Sequence, residues 1–409
     1  MTSFGRNSGA SGLRPSVLGL IALALAATLA VPAARAQLAP NFHITAPYAI
    51  LIDYDSGTVL YQKKADTPWP PASLAKLMTM EVVFNEIKHG DLKLDAELVV
   101  SERAWRRGGA PSRTSSMFAA IHSRVKVTDL MQGVIVQSGN DACIVFAEAI
   151  AGNEDNFARM MTDRARELGL NSADFRNSTG LYDPEQSISV RDLAKLAAHL
   201  IRTYPEFFPY YSQQEFTWNK IRQQNRNPLL TMGIGADGMK TGFIKESGYG
   251  LVGTAKHDDA RLIVVVNGVN SAKERADEAK KLLEWGFRNF ESRLLFKEGT
   301  TVIEARVFGG ERGRVPLVGA GAIRMLVPKG VSEKYIVRAA YTGPLRTPVK
   351  KGAEVARLKV FRGDTIVLEA PLYAGADVGA GGLFQRVIDI TTETAIGFIR
   401  TAMNSVLKK

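Results

Sequence analysis

One cysteine, Cys143, stands alone among 409 residues, so no disulfide can form within the chain and a small disulfide-stapled scaffold is excluded. Histidine is also scarce. The five imidazoles, His43, His89, His122, His199 and His257, fall in no His-Glu-x-x-His string, no close Cys/His set and no Gly-x-Ser-x-Gly context. No metal site, no cofactor and no serine–histidine triad is therefore expected. The chain has no internal repeats or low-complexity tracts, and no dense Lys/Arg block interleaved with aromatics, which removes nucleic acid as an expected partner. With 45% apolar and 23% charged residues it has the make-up of a globular protein of two or three domains, and it is too apolar to be wholly disordered.

Long apolar runs are missing too. The one near the start, Val17 to Val31, is 15 residues long, short of the roughly 20 that span a bilayer. Arg6 and Arg14 precede it and Ala34-Arg35-Ala36 follows, the layout of a secretory signal peptide over residues 1–36, with cleavage leaving Gln37 first. Loss of Arg6, Arg14 and Arg35 takes the formal charge from +11 to +8, so the exported chain stays basic and suits anionic lipid or acidic wall polymer. Cys143, in the apolar stretch Ala142 to Ile150, reads as a small buried hydrophobe rather than a nucleophile.

What is present divides along the chain. Tyr48 to Tyr54 and Thr58 to Tyr61 flank the turn cluster Asp55-Ser56-Gly57, a hairpin pattern. Pro68, Pro70 and Pro71 then precede a run of helix formers, which predicts a helix beginning near Ser73. Residues 90–235 read as mostly helical, with patterns at Thr128–Val134, Asp141–Ile150, Asn156–Leu168 and Ser189–Ile201. A second hairpin, Tyr249–Thr254 with Arg261–Val266, leads into a helical stretch from Ala272 to Phe290. One sheet fed by both ends of this region, with helices on its faces and a helical insert, is the expected arrangement. Beyond Glu291 come short β-rich runs: Thr301–Phe308, Ile323–Val327, Lys334–Ala340, Val355–Phe361 and Thr365–Leu372. Gly375, Gly379, Gly381 and Gly382 read as a loose connection to a last segment with helical apolar spacing and Arg386, Arg400, Lys408 and Lys409 on its polar side, an in-plane membrane anchor.

Three separated strings carry the chemistry: Ser73-Leu74-Ala75-Lys76, Ser138-Gly139-Asn140 and Lys240-Thr241-Gly242. Side chains at i and i+3 of a helix are neighbours, so the Lys76 amine reaches the Ser73 hydroxyl. A serine needs a base to attack, and the positive end of a helix disfavours an ammonium in its first turn; Lys76 is thus the candidate base.

In this order the strings resemble the active-site set of the penicillin-recognising serine enzymes. Their surroundings, Pro71 to Thr79, Ile135 to Ala142, Asp237 to Gly242 and Asn225-Arg226-Asn227, are similar to the D-alanyl-D-alanine carboxypeptidases among the low-molecular-weight penicillin-binding proteins. The resemblance implies an α/β fold: a β-lactamase/transpeptidase-like domain over residues 37–291, with an antiparallel sheet flanked by helices and a helical subdomain. A small all-β domain over 292–375 and a Gly-rich linker with an amphipathic membrane-anchoring helix over 376–409 would follow. It also implies a substrate, the peptidoglycan pentapeptide stem, with β-lactams as inhibitors, at the periplasmic face of the cytoplasmic membrane.

By the same resemblance Ser73 forms the acyl-enzyme and Lys76 is its base. Ser138, bridging toward Lys240, relays a proton to the leaving D-alanine, and Asn140 holds the substrate amide. Lys240, Thr241 and Arg226 meet the free carboxylate, backbone N–H groups of Ser73 and Phe243 form the oxyanion hole, and Gly242 lets the strand approach closely. Phe243 departs from the small polar or imidazole residue common after the third string. A rival match exists: Glu167-Leu168-Gly169-Leu170-Asn171 fits the Glu-x-x-Leu-Asn pattern of class A β-lactamases. Its local reading is the exposed last turn of a helix that stops at Gly169. A D,D-endopeptidase would carry the same three strings, and a non-catalytic wall-binding protein would carry them without using Ser73.

Overall fold

The computed structural model describes residues 42–331 and 333–382. The expected signal peptide over 1–36 and the amphipathic segment after Phe384 lie outside the described residues. The first hairpin is β1 (Tyr48–Asp53) and β2 (Val59–Lys63), followed by helix α1 (Lys76–His89). Next come β3 (Glu97–Val99), α2 (Glu102–Gly108), β4 (Arg124–Lys126), α3 (Val127–Gln132), α4 (Asn140–Ala151), α5 (Glu154–Glu167) and α6 (Val190–Thr203). A small hairpin, β5 (Glu215–Trp218) and β6 (Ile221–Gln224), precedes β7 (Ala236–Ile244), β8 (Gly248–His257), β9 (Ala260–Val269) and α7 (Ala272–Asn289).

β2, β1, β9, β8 and β7 form, in that order, one antiparallel sheet. Alternation along the strands sends side chains to opposite faces. Ile50, Ile52, Ile263 and Val265 join the core built on α1, α4 and α6, whereas Leu51, Leu262, Val264 and Val266 pack with Ala279, Leu282, Leu283 and Trp285 of α7. Both faces are thus covered, and β7 is one of the two edges of this sheet, beside the start of α1.

Serine or asparagine caps hold most helix starts: Ser101, Asn153, Ser189 and Ser271 each accept from a backbone N–H three residues on, each cap being worth about 1 kcal/mol. α1 and α4 have no side-chain cap. Their starts are closed by other means: Asn140 N–H donates to the Ser115 carbonyl and Ala142 N–H to Asp141, while the 3₁₀ turn before α1 takes up the Lys76 N–H.

The expected helical character of residues 90–235 holds for α2 to α6, but β3 pairs with β4 and β5 with β6 as two-stranded ribbons. Their segments are too short and too mixed in polarity to carry a period, and for β3 the pairing partner comes from 25 or more residues along the chain. The helix expected at Ser73 begins instead with a 3₁₀ turn, Ala72–Ala75, and becomes α-helical at Lys76.

Beyond α7 lie β10 (Phe290–Phe296), β11 (Ile303–Phe308), β12 (Arg314–Val318), β13 (Ile323–Pro328), β14 (Tyr335–Ala340), β15 (Leu345–Arg346), β16 (Glu354–Arg362) and β17 (Thr365–Ala374). β10 pairs with β13, and the rest form a sheet ordered β14-β16-β17-β12-β11-β15 around its own core of Val307, Leu317, Leu358, Val360, Leu368 and Leu372. The segment 375–382 is not a loose connection. Gly375 N–H donates to the Pro316 carbonyl at 2.8 Å, Val378 bridges Val349, and Gly381 N–H donates to the Gly309 carbonyl at 2.8 Å. Glycine here serves close backbone approach, since a Cβ on Gly381 would stand 2.6 Å from the Gly310 carbonyl oxygen.

Candidate active site

The first string sits where the chain turns into α1. Ala72 is left-handed, φ +49°, a conformation that costs a non-glycine residue about 1–2 kcal/mol. It turns Ser73 to a half-buried position in front of the helix. Lys76 is 1% exposed, and its Nζ lies 2.9 Å from Ser73 Oγ. The same ammonium donates to the Thr179 carbonyl, which comes from the loop between α5 and α6. Burial lowers Lys76 from its ordinary 10.5 to about 8, with Arg226 pushing the same way and the carboxylates Asp141 and Glu154 opposing. The amine is thereby brought near the pH at which it can hold or release a proton.

The second string follows a π-helical turn, Gly133–Gln137, that ends in a left-handed Ser138, φ +66°. Irregular turns of this kind gather at functional sites, because they aim a side chain that a regular helix would point elsewhere. Ser138 Oγ is buried and makes no hydrogen bond. The bridge to Lys240 expected from the resemblance is therefore not formed; Lys240 Nζ turns back to the carbonyl of its neighbour Thr241, 3.2 Å away, a bond made within its own strand. Asn140 opens α4 and donates through Nδ2 to Thr114 Oγ1 at 2.9 Å.

Beneath it, Asp141 accepts from Ser116 Oγ (2.7 Å), Met117 N (2.9 Å), Ala119 N (3.1 Å) and Ala142 N (3.1 Å), and so ties the 114–119 loop to α4. Burial raises the Asp141 carboxyl, and these four donors pull it back. Cys143 is fully buried and pushed up to about 12 by burial, so it is a neutral thiol and fits the hydrophobe reading.

The third string lies on edge strand β7, with Lys240 and Thr241 buried. Lys240 is held well below its ordinary value, first by burial and then by repulsion from Lys76 and Arg226. These shifts register that Lys76, Lys240 and Arg226 share one cluster although the chain separates them widely. Gly242 packs on the turn before Ser73: a Cβ there would meet the Pro71 carbonyl oxygen at 3.1 Å and Ala72 Cβ at 3.2 Å. Phe243 is half exposed and stacks on Tyr249, with ring centroids 4.1 Å apart.

Arg226 is exposed and donates to Ser115 Oγ at 2.6 Å. Its flanking asparagines hold the loop: Asn225 donates to the Gln213 carbonyl, and Asn227 accepts from Leu229 N. Lys76, Lys240 and Arg226 thus act on one another near Ser73, a grouping of basic side chains that suits an anionic group.

Several participants were not read from the sequence. Thr179 supplies the carbonyl that holds Lys76, Asp141 pins the loop carrying Thr114 and Ser115, and Arg275 of α7 stands near Lys240, with its guanidinium 5.7 Å from the Tyr249 ring. Only the turn signature Asn177-Ser178-Thr179-Gly180 had a local signal. Glu167 falls as its local reading expects: it lies on the last turn of α5, is mostly exposed, and pairs with Arg164 at 2.9 Å. Thirteen residues of helix, about 20 Å at 1.5 Å per residue, separate it from Glu154 at the end of α5 that neighbours Lys76.

A D-alanyl-D-alanine carboxypeptidase family model matches residues 33–271, and a model of the penicillin-binding protein 5 C-terminal domain matches 290–380. The chain is 39% identical over 380 residues to the D-alanyl-D-alanine carboxypeptidase DacC of Escherichia coli, covering 92% of this chain and 94% of that one. Among solved structures it resembles penicillin binding protein 5 from Haemophilus influenzae with a TM-score of 0.72, 38% identity and coverage of 83% of this chain and 99% of that chain. It also resembles penicillin-binding protein D2 from Listeria monocytogenes, solved in an ampicillin-bound form, with a TM-score of 0.55, 30% identity and coverage of 61% and 100%. With the first string beside edge strand β7, which carries the third, and an all-β domain following, the chain belongs to the D-alanyl-D-alanine carboxypeptidase family of serine hydrolases.

Proposed function

We propose that Ser73 is the nucleophile that removes the terminal D-alanine from peptidoglycan pentapeptide stems, in two acyl-transfer steps. Ser73 Oγ attacks the carbonyl between the two D-alanines while its proton passes to neutral Lys76. Collapse of the tetrahedral state breaks the C–N bond, and the departing amine takes a proton by way of Ser138. Water then attacks the ester as Lys76 takes its proton, and collapse breaks the C–Oγ bond while Lys76 returns a proton to Ser73 Oγ, freeing the shortened stem. Backbone N–H groups of Ser73 and Phe243 receive the developing oxyanion, each such donor being worth roughly 3 to 4 kcal/mol. Asn140 holds the substrate amide, and Lys240, Thr241 and Arg226 meet the carboxylate of the last residue.

The observation that carries this reading is the 2.9 Å contact between a serine hydroxyl and a fully buried lysine whose proton affinity burial has lowered. β-Lactams enter as acylating inhibitors, since their strained amide presents the same carbonyl beside a carboxylate. The domain reading is catalytic over 37–291 and all-β over 292–375, with export by residues 1–36 and peripheral attachment to the periplasmic face of the membrane by the helix within 376–409. The layout of Arg6, Arg14 and Val17 to Val31, and the amphipathic spacing after Phe384, support export and attachment.

Incubation with diacyl-L-Lys-D-Ala-D-Ala tests the reaction. Wild type is expected to release free D-alanine, and Ser73→Ala and Lys76→Ala are expected to release none. Penicillin should add its mass to Ser73 and persist. D-Alanine release by Ser73→Ala, or a penicillin adduct that turns over within seconds, would overturn the proposal.

A further inference from the structure

We infer that Glu154 is a positioning residue for Lys76, acting through the Ser178–Thr179 peptide. The inference rests on the reading of Lys76 as proton acceptor. Glu154 opens α5 and is 7% exposed. Its Oε1 accepts from the Ser178 hydroxyl at 2.9 Å and from the Ser178 N–H at 3.3 Å. The carbonyl of the same Ser178 accepts from Thr79 Oγ1 at 2.6 Å, and Thr79 stands one turn beyond Lys76 on α1. The next carbonyl, that of Thr179, receives the Lys76 ammonium. Ser178 is thus clamped from two helices, and the residue after it determines where the amine stands. Asn177 Oδ1 closes the turn by accepting from Thr179 N at 3.2 Å and Gly180 N at 2.7 Å.

The charges around Lys76 include the same carboxylate, with Asp141 the stronger anion. β7 contributes Lys240 and the loop before it Arg226, both repelling an ammonium. α4 contributes Cys143, a neutral thiol, and Asp141, whose oxygens are engaged by four donors of their own. α5 contributes Glu154, whose outer oxygen lies 3.7 Å from Arg103 Nη2 of α2, an exposed side chain. Glu154 lies in the first turn of α5, so a buried acidic side chain stands one residue removed from the carbonyl that holds the base. Such an anion favours the ammonium form and raises the proton affinity of Lys76 against burial, Lys240 and Arg226.

The full chain tests this through the second-order rate of acylation by a fluorescent penicillin, measured from pH 6 to 10 beside the melting temperature. Glu154→Gln keeps an acceptor for Ser178 and removes the charge. Its acid limb should move to lower pH by roughly 0.3 to 1 unit, because Lys76 then loses its proton more readily. Glu154→Ala removes acceptor and charge together, and its high-pH plateau should fall roughly tenfold or more, a larger loss than in Glu154→Gln. A Glu154→Gln variant with a lower melting temperature and an unmoved acid limb would overturn the inference, as would Glu154→Ala with the wild-type plateau. Lys76→Ala distinguishes the two readings: an acid limb that persists in Lys76→Ala means that Lys76 is not the base, whatever Glu154 does.

Discussion

Gly180 is the position at which one methyl group should do most harm. It adopts φ +78°, and a Cβ there would lie 1.9 Å from the Ala72 carbonyl oxygen, 2.5 Å from the Ala72 carbonyl carbon and 3.0 Å from Ser73 N. The obstacle is backbone, not a flexible side chain, and it is the peptide that presents Ser73. Gly180→Ala costs about 1–2 kcal/mol for the left-handed conformation, and the overlap adds roughly 1–3 kcal/mol as overpacking. Relief to about 3 Å needs a shift of about 1 Å in the Ala72–Ser73 peptide or in the Thr179–Gly180 turn. Either movement separates Ser73 from Lys76, and a misplacement of about 1 Å costs roughly 10²-fold in rate. Urea denaturation and the rate of fluorescent-penicillin acylation above pH 8 read the two effects. Gly169→Ala is the control: Gly169 has φ +71° with nothing within 4 Å of its added Cβ, so it should show the conformational cost alone and acylate normally. Gly180→Ala with stability equal to Gly169→Ala and an acylation rate within about twofold of wild type would refute the reasoning.

Asp141→Asn should lower stability by roughly 2–4 kcal/mol in urea denaturation, because an amide turns an NH₂ toward backbone donors that now meet a carboxylate. Lys76→Met separates the charge of Lys76 from its packing. The native state holds Lys76 near 8 and the unfolded chain near 10.5, so between these values the unfolded state binds more protons and rising pH stabilises wild type. Relative to Lys76→Met, wild type should gain up to about 3 kcal/mol from below pH 8 to above 10.5, followed by denaturation across that range; below pH 8 the difference should be flat. Glu167→Ala, at an exposed pair, should change stability by less than about 1 kcal/mol and leave the lifetime of the penicillin adduct unaltered, as mass spectrometry over time would show.

Local features of the chain were readable because their physics is local. The proximity of Ser73 and Lys76 follows from three residues of helical rise, the end of α5 from Gly169 after an apolar stripe, and the first hairpin from Asp55-Ser56-Gly57 between alternating runs. The short ribbons β3–β4 and β5–β6 were not readable, because each strand is defined by a partner and carries too few residues for a period. Nor was the hydrogen-bonded course of residues 375–382, where glycines that suggested looseness instead admit close backbone contact.

The sequence by itself determined the residue types, their order and the helix start that puts an amine beside a hydroxyl. Tertiary structure alone decided that Lys240 and Arg226 act on Lys76, that the Thr179 carbonyl receives its amine, and that Glu154 holds the neighbouring Ser178. The reason is physical: burial and the mutual repulsion of cations set the proton affinity of Lys76, and both exist only once β7, α4 and α5 close around α1.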